Sequence, residues 1–252
     1  MAQAEAQGGS SPRRVIRCPG LGSPGDTRSL QARAMWRTLV AAPRAVAQRA
    51  GQRWIASSAP TPRESVDQVF ALFDRHGNGD YVGEAVSQLE HALQAAELAG
   101  RAGLGSDATI AALLHDCGHL LGLDDPSLPR MGECGIMDHE GLGGRWLLGL
   151  GFSGRVAALV RRHVDAKRYL CCIKPEYHAR LSDASLTTLG YQGGPMAPEE
   201  AAAFERDELF RTIIAMRAWD EAAKVPGKRV PGLEAYREML EAHVRDATMA
   251  TE

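Results

Sequence analysis

The sequence predicts an all-α fold, a bundle of about six to eight helices, and three observations point to it. From Ser65 onward, apolar residues recur at three- and four-residue spacing. Strand-type alternation is nearly absent. Glycine and proline clusters punctuate the chain at helix-length intervals. A chain of 252 residues can carry one good-sized domain, or one domain and a tail.

Residues 1–60 stand apart as a basic extension. Glu5 and Asp26 are their only acidic residues, against nine arginines, with Ser, Ala, Gly and Pro filling much of the rest. An arginine-rich, acid-poor, partly amphipathic segment has the signature of an organellar transit peptide, here for the mitochondrial matrix in preference to a plastid. The alternatives are a disordered tail on a cytoplasmic protein and a true start at Met35. The folded domain is expected over residues 61–248.

In the first helix Val66, Val69, Phe70 and Phe73 share a face, with Ser65 as N-cap and Gly77-Asn78-Gly79 as the stop. A longer helix is expected over residues 82–101, with Val86, Leu89, Leu93 and Ala96 inward and Gly103 and Gly105 at its end. Ser106-Asp107 can cap the next helix, which carries LLHDCGHLLG at 113–122. A loop with Pro126 and Pro129 follows. Further helices are expected near 138–148, 153–167, 198–223 and 233–244.

Composition narrows the function. Apolar content of 44% is ordinary for a globule, and a net charge of -2 gives no general reason to expect nucleic acid or an acidic membrane. No apolar run approaches the roughly 20 residues of a membrane helix. Cys18, Cys117, Cys134, Cys171 and Cys172 show no CxxC spacing, so neither a disulfide framework nor a zinc knuckle is indicated.

The chemistry centres on His115-Asp116. On one continuous helix His115 and His119 would share a face. A His-Asp pair in an apolar run is costly to bury unsatisfied. Either a metal or a simple His–Asp hydrogen bond would satisfy it. His91, His139, His163 and Asp220 also lie within or beside apolar helical runs. One such histidine is commonly a satisfied core residue; four with two aspartates are harder to explain so. Imidazole and carboxylate without thiolate suit iron, manganese or zinc. Six ligands exceed the needs of one open metal, so a dinuclear site fits better. His76, His178 and His243 read as surface residues.

His115-Asp116, with flanking His91 and distal Asp220, resembles the HD-domain superfamily of metal-dependent helical proteins. GDYVGEAVSQLEHALQ at 79–94, RRHVDAK at 161–167, LSDASLTTLGYQGGPM at 181–196 and RAWDEAAK at 217–224 are similar to the 2-amino-1-hydroxyethylphosphonate dioxygenases, a mixed-valent di-iron branch. The likeness spans roughly residues 62–245. It implies one iron on His91, His115, Asp116 and Asp220, with Asp116 bridging to a second iron on His139 and His163, as an Fe(II)/Fe(III) pair. It implies a phosphonate-binding set of His119, Ser185, Thr188 and Gln192. It also implies that Tyr81 fills the open iron position until substrate displaces it, moving with Glu84. The substrates would be a small aminophosphonate and O2, and the products glycine and phosphate. A phosphohydrolase acting on a nucleotide or other phosphate ester is the alternative that the HD pair alone favours.

The residues beside the ligands allow a physical reading. Lys167 is four residues after His163 and faces the same side of that helix. A lysine aimed at a metal needs an anion between them, which a phosphonate supplies. Glu84 is seven residues before His91, nearly on one helical face, and can receive an ammonium. Gln88 could support it. The alternatives are a solvated Lys167 and an acid-rich helix start at Tyr81–Glu84.

Overall fold

The computed structural model describes residues 60–81 and 83–250. The basic extension at 1–60 lies outside the described residues but for Pro60. Among the described residues there are eleven α-helices and one 3-10 turn, with no strand beyond isolated bridges. The helical class holds, and the count exceeds six to eight because several expected helices are broken or joined by short ones.

Helix α1 (Pro62–His76) starts one turn earlier than expected. Thr61 is its N-cap, closing a capping box with Glu64, and Pro62 fits the first turn. Ser65 is therefore inside the helix. It is fully buried, and its hydroxyl donates to the Leu150 carbonyl at 2.7 Å.

Helix α2 (Gln88–Ala102) begins six residues later than expected. Ser87 caps it through a second box with Glu90. An antiparallel bridge between Asp80 and Ser87 instead closes a turn that carries Tyr81 and residues 83–86. Tyr81 and Glu84 sit on this turn, not on the face of a helix shared with His91.

Helix α3 (Ser106–Leu114) is apolar on every side and is buried from Ala108 to its end. Such a helix belongs in the centre of a bundle. Each of Ile110, Leu113 and Leu114 contributes about 1.5–3 kcal/mol by burial. Its N-cap is Gly105, with no side-chain capping bond, where Ser106 or Asp107 was expected.

The helix stops at Leu114. Asp116 takes φ -101°, ψ 10°, and short α4 (Cys117–Leu121) sets off again. His115 and His119 are thus on different helical segments, and the single shared face expected of them is corrected.

After the loop come α5 (His139–Gly149), α6 (Gly154–Ile173), the single turn α7 (Pro175–His178) and α8 (Asp183–Tyr191). The helix expected over 198–223 is two, α9 (Pro198–Phe204) and α10 (Phe210–Ala222). Asp207 breaks it by accepting from the Leu209 N–H at 2.7 Å while pairing with Arg162. A 3-10 turn (Leu233–Tyr236) leads into α11 (Arg237–Met249).

Helix α6 packs against α3, α5, α9 and α10, while α2 packs on α3 and α10. Helix α11 closes the bundle over α1 and α3. His243, expected at the surface, is here only 8% exposed, accepting from Ser153 N–H at the start of α6. His76 is also partly covered, paired with Asp124 at 2.7 Å.

Candidate metal centre and substrate cavity

The break at Asp116 swings its carboxylate into the space between α2, α5, α6 and α10. Its two oxygens face opposite ways. Oδ2 lies 3.3 Å from His115 Nε2 and 3.8 Å from His91 Nε2. Oδ1 lies 3.4 Å from His139 Nε2 and 3.5 Å from His163 Nε2. Asp220 Oδ1 completes the first group, 3.5 Å from His91 Nε2. Each group could hold a metal ion, and Asp116 belongs to both.

Three hydrogen bonds fix which ring nitrogens are free. His91 Nδ1 lies 3.0 Å from the Ala223 carbonyl, His115 Nδ1 2.8 Å from Ala112, and His163 Nδ1 2.7 Å from Val160. A carbonyl only accepts, so each Nδ1 carries the proton and each Nε2 has a lone pair. Yet His91 and His115 bring their Nε2 atoms within 3.2 Å, and His139 and His163 do the same. At the His91–His115 pair two lone pairs face each other, which requires a proton or a metal between them.

The metal-free electrostatics show the same demand. Burial, aided by neighbouring His115, holds His91 down to about 4 and His163 down to about 3. At His115 burial also pulls downward, but the Asp116 carboxylate prevails and raises it to about 9. Asp220 Oδ1 is buried with no hydrogen-bond partner, a costly state that a cation relieves. Arg217 Nη1 holds the other oxygen of Asp220 at 2.5 Å, which aims Oδ1 at the histidines. The residues present therefore fit a dinuclear, nitrogen–oxygen-ligated metal pair.

The two groups differ in access. Tyr81 covers the first, stacking on His91 at 4.0 Å and donating to Asp116 Oδ2 at 3.0 Å. The phenol stays protonated, because burial and then Asp116 push its pKa far up. The second group has three donors and opens on a cavity of about 180 Å³ that Lys167, Ser185, Thr188 and Gln192 also line.

Lys167 is 5% exposed. Its ammonium donates to Thr188 Oγ1 at 2.7 Å, and among the described residues no carboxylate lies within ion-pair distance of it. Burial, then the charge of Arg217, lowers it to about 7. A buried ammonium held by a hydroxyl alone lacks the counter-charge that burial calls for. Ser185, Thr188 and Gln192 lie on or just after α8, a helix where an ordinary loop was the alternative. Gln192 turns a buried amide oxygen with no partner toward this space.

His119 stacks on His139 at 3.8 Å, and its Nδ1 accepts from the Ile136 N–H at 3.0 Å. Its Nε2 therefore carries the hydrogen and is a donor at the cavity wall. Gly135 makes this possible. Its φ is +100°, and a Cβ there would stand 2.7 Å from the His119 ring.

Gly118 supports the centre from behind. A Cβ on it would overlap the His139 carbonyl, so α4 can approach α5 only without a side chain. Gly118→Ala is expected to cost about 1–3 kcal/mol through this overlap and to lower metal content. Urea unfolding and elemental analysis check both.

The HD domain matches residues 89–210, a span that holds five of the six expected ligands and ends before Asp220. Three relatives extend further. An uncharacterised protein of Acanthamoeba polyphaga mimivirus is 38% identical over 185 residues, 73% of this chain and 84% of that protein. The glycine-betaine-forming 1-hydroxy-2-(trimethylamino)ethylphosphonate dioxygenase of Leisingera caerulea is 39% identical over 179 residues, 71% of this chain and 90% of the relative. The hydroxymethylphosphonate dioxygenase of Gimesia maris is 39% identical over 188 residues, 75% of this chain and 92% of the relative. The chain belongs to the HD-domain family that includes these dioxygenases.

All thirteen expected site residues of this family member converge on the centre or its cavity. Their spacing did not bring forward Arg217 and Lys224. Both lie close to Asp220 in sequence, Arg217 three residues before it on α10 and Lys224 four residues after it, just past the helix end.

Proposed function

We propose that this protein is a di-iron oxygenase that uses O2 to break the carbon–phosphorus bond of a 1-hydroxy-2-aminoethylphosphonate. The products are glycine, or an N-methylated glycine, and phosphate. The observation that carries this reading is the buried Lys167–Thr188 pair beside the three-donor side of a divided carboxylate. An anion anchored there would lie beside the group that Asp116, His139 and His163 form. Both named relatives act on phosphonates with a hydroxyl on the carbon bonded to phosphorus, and they differ in whether an amine follows.

Two irons in the Fe(II)/Fe(III) state would supply the one-electron chemistry that activates dioxygen. They would lie on His91, His115, Asp116 and Asp220, and on Asp116, His139 and His163. The chain's own groups do the rest. Lys167, Thr188 and the His119 N–H hold phosphonate oxygens, so the hydroxylated carbon faces the second group. The ammonium of Lys167 and the His119 N–H stabilise charge on the departing phosphate. Glu84, across the cavity, receives the substrate's ammonium. Tyr81 shields the first group from water. One substrate and one O2 contain the atoms of one glycine and one phosphate, so no outside reductant is consumed.

The test is incubation of iron-loaded protein with (R)-2-amino-1-hydroxyethylphosphonate in air and under argon. Phosphate and glycine are expected in air alone. Phosphate released equally under argon would instead mark a phosphohydrolase.

A further inference from the structure

Glu84 does not wait with a free carboxylate. Lys224, just past the end of α10, places Nζ 2.8 Å from Glu84 Oε1. Both side chains are mostly covered, at 19% and 23% exposure. The lysine also lies 5.5 Å from the centre of the Tyr81 ring. Its backbone is held firmly. Gln94, fully buried, donates to the Val225 carbonyl at 2.9 Å and accepts from the Val225 N–H at 3.1 Å. The carbonyl of Ala223, on the other side, is bound to His91. Lys224 is thus presented to Glu84 by the same segment that orients a candidate ligand.

The pair stands where two spaces meet. Glu84, Lys224, Ser185 and Arg217 line both the metal cavity and a second, more open chamber edged by Arg180 and Ser182. A molecule passing between them meets this ion pair.

We propose that Lys224 is a specificity-determining residue, an internal ammonium that competes with the substrate's cationic group for Glu84. This rests on the phosphonate oxygenase reading. A cationic substrate binds only by exchanging its own ammonium for that of Lys224. An amine-free hydroxyphosphonate leaves the pair intact and finds Glu84 already neutralised. Without Lys224 the balance shifts twice in one direction. The bare carboxylate attracts a substrate cation more strongly, and it repels a phosphonate that has no cation to shield it.

The experiment compares iron-loaded wild type with Lys224→Met and Lys224→Arg. Anaerobic calorimetry gives the dissociation constants of (R)-2-amino-1-hydroxyethylphosphonate and hydroxymethylphosphonate, and aerobic assays give kcat/KM for each. Lys224→Met is expected to shift the affinity ratio toward the aminated compound by about tenfold. Lys224→Arg, which retains the cation, is expected to leave the ratio within about twofold of wild type. A Lys224→Met ratio equal to wild type, or shifted toward the amine-free compound, overturns the competition. So does an equal shift in both variants, which would mean a packing role. Wild type that binds both compounds but releases no phosphate in air overturns the oxygenase reading instead, and the binding ratio still judges Lys224.

Discussion

Asp116→Asn is expected to reduce bound metal from two ions to one or none and to lower phosphate release on the order of 10³-fold. The substitution keeps the side chain's volume and changes its electronics. Oδ1 serves His139 and His163, while Oδ2 serves His91, His115 and the Tyr81 hydroxyl. An amide has one oxygen to give, and its NH2 cannot bind a cation. Whichever way the asparagine turns, one histidine pair loses its bridge. Charge is lost as well, since the four imidazoles are left with Asp220 beside His91 and Glu140 beside His139.

A stability measurement separates this from unfolding. In chelated wild type Asp116 raises His115 from 6.5 to about 9. A raised histidine pKa contributes stability that is complete below the unfolded value and lost as pH climbs through the folded one. The metal-free variant should therefore be less stable than metal-free wild type near pH 6, and the gap should narrow toward pH 9. Elemental analysis that still finds two ions per chain in a folded variant would sink the divided-carboxylate reading.

The six candidate ligands were legible as a cluster because each is a polar intruder in or beside an apolar helical run, and a buried intruder needs a partner. Their division into two groups was less so. Helical spacing placed His115 and His119 together, but Asp116 breaks the helix, and it is the break that turns its two oxygens toward opposite histidine pairs. The same periodicity carried α2 back to residue 82. The Ser87–Glu90 box was in the sequence as a stronger signal, because it satisfies two backbone N–H groups at once. Reading it would have placed Glu84 on the preceding turn. Helix α8 is hard to read for another reason. Leu189 is its one buried residue, so no apolar stripe marks it. Its inward groups, Ser185 and Thr188, face the cavity and not the core. Lys224 was visible as a residue but not as a competitor, since its partner lies 140 positions away.

Lys167→Met is expected to raise the KM for a hydroxyphosphonate about 10- to 100-fold while leaving the metal content at the wild-type level. The loss of one charge-assisted hydrogen bond to a charged group, about 1.5–3 kcal/mol, sets this range. Metal is expected to be spared because Lys167 is one turn beyond His163 on α6 and its hydrogen bond goes to Thr188, not to a candidate ligand. Equal losses of metal and affinity would instead make Lys167 structural.

The pH dependence adds a second check. Burial, then Arg217, lowers Lys167 from 10.5 to about 7. Above about pH 7 the free protein therefore loses the ammonium that a phosphonate needs, and binding must first take a proton back. Affinity should fall as pH rises from 7 to 9, and calorimetry in buffers of different ionisation enthalpy should detect proton uptake at pH 8. Lys167→Arg keeps its charge throughout, so it should bind more weakly at pH 7 through altered geometry but show no uptake assignable to this site. The metal-free protein supplies the opposite sign. A lysine depressed on folding costs stability as pH falls from 10.5 toward 7, because the unfolded chain then holds a proton that the folded chain resists. Lys167→Met removes that cost, so the chelated variant should be more stable than chelated wild type at pH 7 even though it binds substrate less well. A residue that weakens the empty fold and strengthens the occupied one is arranged for its ligand.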